Sequence, residues 1–217
     1  MKTTALKIPI SASLGSVSAE IFEPEHAIAI LTFAHGAKAG MNHSFMTSLA
    51  KSLAKQGIAT LRFNFPYMEQ KKKLTDSQVI TNKTLGVVME KTHELFPNLP
   101  FFAAGKSFGG HMSSLYLSTA SLKWVKGIIF YGFPLHPAGL PLTERAEHLK
   151  TLKLPMLFIQ GSADEVAELA LIEKVTSNLP MATLHKLGTD HAFHTTRLNL
   201  LPNLTKFTHD WITQVLG

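Results

Sequence analysis

Ser107 lies in Gly105-Lys106-Ser107-Phe108-Gly109, and these five residues admit two chemistries. Read as G-K-S, they end a phosphate-binding loop, with Lys106 on a nucleotide phosphate and Ser107 on magnesium. Read as G-x-S-x-G, they make Ser107 a nucleophile. A phosphate loop needs a further glycine ahead of four loop residues, but Pro100 stands there and the intervening Phe-Phe-Ala-Ala reads as buried strand. A nucleophile turn needs an apolar strand before it and a helix after it, with small residues on both sides of the serine because the two backbones nearly touch. Gly105 and Gly109 meet that need, and Gly110 relaxes it further. The helix starting near Phe108 would aim its free N–H groups at a developing oxyanion. A glycine-lined turn that serves packing alone is the competing reading.

A serine hydroxyl needs a base, and the base needs an acid to orient it. In an arrangement of this kind they follow in the order serine, acid, histidine, each in a loop after a later strand. Of the aspartates, Asp76, Asp164, Asp190 and Asp210, the one in GSADE after an apolar run is Asp164. It is the candidate acid, Glu165 its substitute, and a helix cap its competing role. His191 in GTDHAFH is the candidate base, with His194 in reserve; His185 falls in a predicted strand and His209 in a predicted helix. His191 and His194 could also pair on a metal, but no convincing third ligand accompanies them. The loop AHGAKAGMNH (34–43) should supply a second oxyanion donor, the Ala37 N–H beside that of Phe108, with Gly36 allowing close approach. His35 is expected to shape this loop. Lys106 is expected to point away from the nucleophile, with a role in holding an anionic substrate as the alternative.

The elements that must position these groups follow from periodicity. Leu6, Ile8 and Ile10, then Val17, Ala19 and Ile21, alternate on either side of Ser13-Leu14-Gly15, which predicts a β-hairpin. The apolar runs at 27–34, 58–65, 101–104, 126–131 and 155–160, with 182–187, predict further strands, several of them covered on both faces. Helices are predicted after Phe45 up to Gly57, over 75–96 with Val79, Ile80, Val87, Val88 and Leu95 inward, and over 108–119, 165–178 and 204–216. Eight strands, a leading hairpin and then strands alternating with helices, predict an α/β domain with a mostly parallel sheet and helices on both faces.

Composition sets the remaining bounds. The chain has 217 residues, 45% of them hydrophobic and 17% charged, and no linker divides it, so a single domain over 1–217 is expected. Cysteine is absent, which excludes disulfides, thiolate zinc and a cysteine nucleophile, and fits a cytoplasmic protein. Lys7 and Pro9 interrupt what would have to be the apolar core of a signal peptide, and no run approaches the ~18 residues of a membrane span. The net charge of +6 is spread thinly; its only block, Lys71-Lys72-Lys73, reads as a solvated loop, so nucleic acid is not an expected partner.

Taken together, AHGAKAGMNH, GKSFGGHMSS, FYGFPLHP, LPMLFIQGSADE and GTDHAFH resemble the α/β-hydrolase fold over nearly the whole chain, within the small lid-poor branch close to dienelactone hydrolases. More narrowly, the chain is similar to compact bacterial hydrolase-like proteins related to a domain in a subunit of a chromatin acetyltransferase complex. Related sequences often carry arginine after the paired glycines, where this chain has His111. The resemblance implies that Ser107, Asp164 and His191 form a triad that transfers an acyl group to water without a cofactor. It also leaves open a non-catalytic interaction module, and hence a protein partner. Because only 132–155 separates the sixth and seventh strands, a minimal lid and a shallow pocket for a small-molecule acyl substrate are expected, with Met41, Phe108, Phe133 and Leu135 among its walls.

Overall fold

The computed structural model describes residues 1–193 and 199–217. Strands β1 (Lys2–Ser11) and β2 (Gly15–Glu23) form the antiparallel hairpin, turning at Gly15, whose φ of 71° suits glycine. There follow β3 (Ala29–Ala34), α1 (Ser44–Ala54), β4 (Ile58–Phe63), the short α2 (Pro66–Glu69) and α3 (Gln78–Leu95). The second half runs β5 (Phe101–Lys106), α4 (Phe108–Thr119), β6 (Val125–Tyr131), a 3-10 helix (Glu144–Thr151), β7 (Met156–Gly161), α5 (Leu169–Ser177), β8 (Ala182–Leu187) and α6 (Leu201–Leu216).

The eight strands make one sheet in the order β1-β2-β4-β3-β5-β6-β7-β8, parallel from β4 to β8, with the hairpin joining antiparallel through β2 and β4. Continuous apolar strands demand cover on both faces, and they receive it. Met46, Leu49 and Leu53 of α1 pack with Trp211 and Ile212 of α6 on one face. On the other, Leu85 and Val88 of α3, Met112 of α4 and Ile172 of α5 share a second core. Among the described residues no helix is long and apolar enough to cross a membrane.

Helix α3 corrects the expected packing. Val79 and Leu95 are exposed, and the buried side carries Thr81, Thr84 and Thr92 with Leu85, Val88 and Met89. Each of these threonines donates its hydroxyl to the carbonyl four residues back, so its polar atom is satisfied within the helix and the methyl faces the core. Helix α5 starts at Leu169, later than expected, because the residues after Asp164 form the turn that carries it.

Parallel strands align their C-terminal ends. The loops after β3, β5, β7 and β8 therefore meet at one edge of the sheet, and with them Ala37, Ser107, Asp164 and His191.

Candidate active site

Ser107 occupies the single-residue turn between β5 and α4, at φ 49° and ψ −118°, a conformation that costs a non-glycine residue of order 1–3 kcal/mol. Its neighbours show what the turn requires. A Cβ on Gly105 would stand 2.1 Å from the Gly110 nitrogen, and one on Gly109 would stand 2.4 Å from the Ala34 carbonyl oxygen. Helix α4 thus crosses β5 and β3 at a separation that only glycine permits. The Ser107 N–H donates to the Tyr131 carbonyl at 3.2 Å, which ties the turn to β6.

Asp164 is buried after β7, and its two oxygens have different tasks. Oδ1 accepts the Val166 N–H at 2.9 Å, stabilising the turn, while Oδ2 faces His191 Nδ1 at 2.7 Å. The expected role beside histidine is thus present, whereas the helix-cap alternative is not: α5 begins at Leu169 with Glu168 at its cap, and Asp164 holds only its own turn. An ionised carboxylate can only accept, so Nδ1 carries the proton and Nε2 is left to accept from the Ser107 hydroxyl at 2.8 Å. His191 arrives from β8 by a close crossing, since a Cβ on Gly161 would be 2.5 Å from the Thr189 and Asp190 carbonyl oxygens. His194, the reserve base, lies outside the described residues. Among those described, no group of three His, Asp or Glu could hold a metal.

Ala37 and Phe108 line the cleft beside Ser107, and among the described residues neither backbone N–H has an acceptor. For Phe108 this follows from its place as the first residue of α4, which has no carbonyl one turn back. The Ala37 loop is braced from below. Tyr67 donates its hydroxyl to the Ala37 carbonyl at 2.9 Å, Asn64 Oδ1 accepts the Met41 N–H at 2.8 Å, and the buried Arg62 donates to the Met41 carbonyl while pairing with Glu20. Burial, aided by the nearby Asp76 charge, pushes the Tyr67 phenol above its ordinary value, so it remains a donor. His35 shapes the loop as expected: Nε2 accepts the Phe65 N–H, which leaves Nδ1–H to donate to the Gly36 carbonyl. Burial holds this imidazole near pKa 4 against the opposing Gly36 bond, and therefore neutral.

Above Ser107 lies an open cleft of about 1130 Å³, larger than the shallow pocket expected from the short 132–155 segment. One wall comes from α1 and the start of α6, including Phe45, Met46 and Leu204; the other comes from Pro134, His136 and Arg145. Phe108 lines it, but Met41, Phe133 and Leu135 do not. Along the segment after β6 the side chains alternate: Pro134 and His136 line the cleft while Phe133 and Leu135 turn into the core, Phe133 against Phe130 and Phe158. Met41 turns inward where Asn64 and Arg62 hold both of its backbone groups.

Gln160 and His148 escaped the sequence reading. Gln160 donates to Asp164 Oδ2 at 2.5 Å and accepts the Phe133 N–H, orienting the acid from beneath. Its signal was a polar residue ending an otherwise apolar strand. His148 meets His111 of α4, which lines the cleft, edge to face; both are partly buried and held near pKa 4, chiefly by desolvation. Lys106 departs from expectation, because its stem folds back into the site and Nζ donates to the His191 carbonyl at 2.6 Å.

The profile of the family described as "Alpha/beta hydrolase domain" matches residues 27–208. Among solved structures, an α/β serine hydrolase without lid from Xanthomonas campestris is 22% identical, with a TM-score of 0.76 over 97% of this chain and 95% of that one. A dienelactone hydrolase from Anabaena variabilis is 19% identical, with a TM-score of 0.79 over 98% and 97%. Est1E from Butyrivibrio proteoclasticus, in a structure with ferulic acid bound, is 16% identical, with a TM-score of 0.78 over 98% and 99%. At these identities the likeness is one of fold, and the family profile, which spans most of the chain, carries the assignment: the protein belongs to the α/β-hydrolase family.

Proposed function

We propose that the protein is a serine hydrolase that cleaves an ester or thioester of a small molecule through an acyl-enzyme on Ser107. The observation that carries this reading is the unbroken hydrogen-bond chain from Ser107 Oγ through His191 to Asp164. In the first half-reaction Ser107 Oγ bonds to the substrate carbonyl carbon as His191 Nε2 takes the hydroxyl proton. Asp164 stabilises the imidazolium, and the N–H groups of Ala37 and Phe108 receive the oxyanion. Collapse breaks the bond to the leaving group, which takes the proton from Nε2. Water then enters, gives a proton to His191 and releases the acid by the same steps. The chemistry draws on these side chains and backbone groups alone.

A fluorophosphonate probe followed by mass spectrometry tests the proposal. The expected adduct is on Ser107, lost in Ser107→Ala and in His191→Ala, and Ser107→Ala should lower ester turnover ~10⁴- to 10⁶-fold, roughly 5–8 kcal/mol. A folded protein with its cleft open and Ser107 unlabelled would sink it and favour an interaction module on a hydrolase scaffold. The substrate panel should include hydroxycinnamate esters, because the Butyrivibrio protein binds ferulic acid.

A further inference from the structure

Lys106 precedes the nucleophile, and its side chain has the length to reach solvent. It does not do so. The stem runs along the base of the cleft and places Nζ 2.6 Å from the carbonyl oxygen of His191, with the Phe193 ring centroid 5.1 Å away and that of Phe45 at 6.0 Å. Space for this is made by Gly132, at φ 71°, where a Cβ would lie 3.1 Å from Nζ and 3.4 Å from His191 Cε1 and Nδ1. Ammonium and imidazole therefore come together across one glycine.

Residues 188–193, which carry His191, form bends and a turn closed by the Phe193 N–H on the Asp190 carbonyl, with no helix or strand to hold them. Before the histidine they are fixed by the Gly161 crossing and by the Ala163 N–H bond to the Thr189 carbonyl. At the histidine, the ammonium takes over. We propose that Lys106 is a positioning residue whose ammonium clamps the His191 carbonyl and so keeps the imidazole between Asp164 and Ser107. The inference rests on His191 being the base of the proposed hydrolase. Charged hydrogen bonds to a carbonyl are stronger and shorter than neutral ones, which suits a clamp. Burying the ammonium works against stability, and burial holds its pKa near 8 although Asp164 and Asp190 pull the other way. A cation kept at that disadvantage beside the base is placed for function rather than for folding.

Among the described residues, the titratable groups around Nζ are Asp164 from the β7 loop, Asp190 from the β8 loop and the imidazole of His191. In the unaltered enzyme, kcat/KM should step down as pH rises through about 8 and the clamp loses its charge.

The experiment compares Lys106→Met and Lys106→Arg with the unaltered protein. It reads kcat and KM for 4-nitrophenyl acetate, the rate of fluorophosphonate labelling, the low-field proton resonance of His191 Nδ1–H, and the melting temperature. In Lys106→Met, kcat and the labelling rate should fall about 10²-fold, as for a base displaced by about 1 Å, with KM unchanged. The His191 resonance should broaden, the step near pH 8 should vanish, and the melting temperature should hold or rise. Lys106→Arg should recover much of the rate and the resonance.

A raised KM with unchanged kcat would make Lys106 an anchor for an anionic substrate and overturn the proposal. An unchanged His191 resonance would also overturn it, as would unfolding of both Lys106→Met and the neutral donor variant Lys106→Gln, which would assign the lysine to the fold. Because the resonance is read without substrate, an unaltered protein that fails to label at Ser107 counts against the hydrolase reading while the clamp is still measured.

Discussion

Asp164 shows how much a single side chain must satisfy in this site. One oxygen holds its own turn through Val166, and the other accepts from both His191 and Gln160, so neither can be lost without leaving a buried donor unpaired. Replacing Asp164 with asparagine keeps the shape but allows an N–H to face His191 Nδ1. The ring would then adopt the tautomer that places its proton on Nε2, where it cannot accept from serine. Asp164→Asn should therefore lower kcat about 10⁴-fold and, because the buried Gln160 N–H then faces another N–H, cost about 1–3 kcal/mol of stability; steady-state kinetics beside calorimetry would check both. A loss below tenfold would mean that the acid is supplied elsewhere. Asp164 and its neighbour Glu165 were both open from the sequence, because the spacing to an apolar strand places either at the sheet edge. Only the hydrogen-bond partners separate them.

At the scale of elements, the site depends on how closely α4 crosses β3 and β5. Gly105 and Gly109 were legible in the sequence because the G-x-S-x-G spacing implies that crossing. What could not be read is how little room it leaves. A Cβ on Gly109 would meet backbone atoms, Ala34 O at 2.4 Å and His35 O at 2.7 Å, which no rotamer change can move aside. Gly109→Ala should cost more than about 3 kcal/mol, at or beyond the upper end of overpacking, or prevent folding. Gly188→Ala, where a Cβ would meet nothing within 4 Å, is the matched control. Urea denaturation of the two variants decides the matter, and equal midpoints would show that the crossing can relax. The buried face of α3 was misread for a related reason. Hydrophobic periodicity counts threonine as polar, whereas a threonine bonded to its own helix presents a methyl to the core.

For the whole molecule, neutral histidines, His35 buried and His111 and His148 partly so, couple the fold to pH. His35, His111 and His148 are each lowered from 6.5 to about 4, first by burial. Their folded pKa lies below the unfolded one, so the unfolded chain binds more protons between those values. Their contribution is complete above about pH 6.5 and is lost as pH falls towards 4. Glu69 acts further down. Burial would raise its pKa, but hydrogen bonds from Asn64, Ser18 and Lys7 prevail and hold it near 2, so its contribution fades from about 4.5 to 2. The urea midpoint should therefore decline in two stages on acidification, the first between pH 6.5 and 4, with proton uptake on unfolding in that window. A flat profile there would show that the three histidines titrate normally. One further change bears on the Ala37 loop: His35→Phe should strand the Phe65 N–H and cost roughly 1–3 kcal/mol.

The sequence alone determined what depends on local pattern and order along the chain. Apolar runs alternating with helical periodicity imply a parallel sheet, and a parallel sheet brings the loops after successive strands to one edge, so Ser107, Asp164 and His191 could be named before any contact was known. Tertiary structure decided what depends on direction and distance. Lys106 turns into the site because Gly132 opens a path, and Met41, Phe133 and Leu135 leave the cleft because the core takes their side chains. Two walls 132–155 and α1 with α6 enclose about 1130 Å³ that no residue count could supply. Periodicity records which residues can be buried, and packing between elements distant in sequence determines which way each one faces.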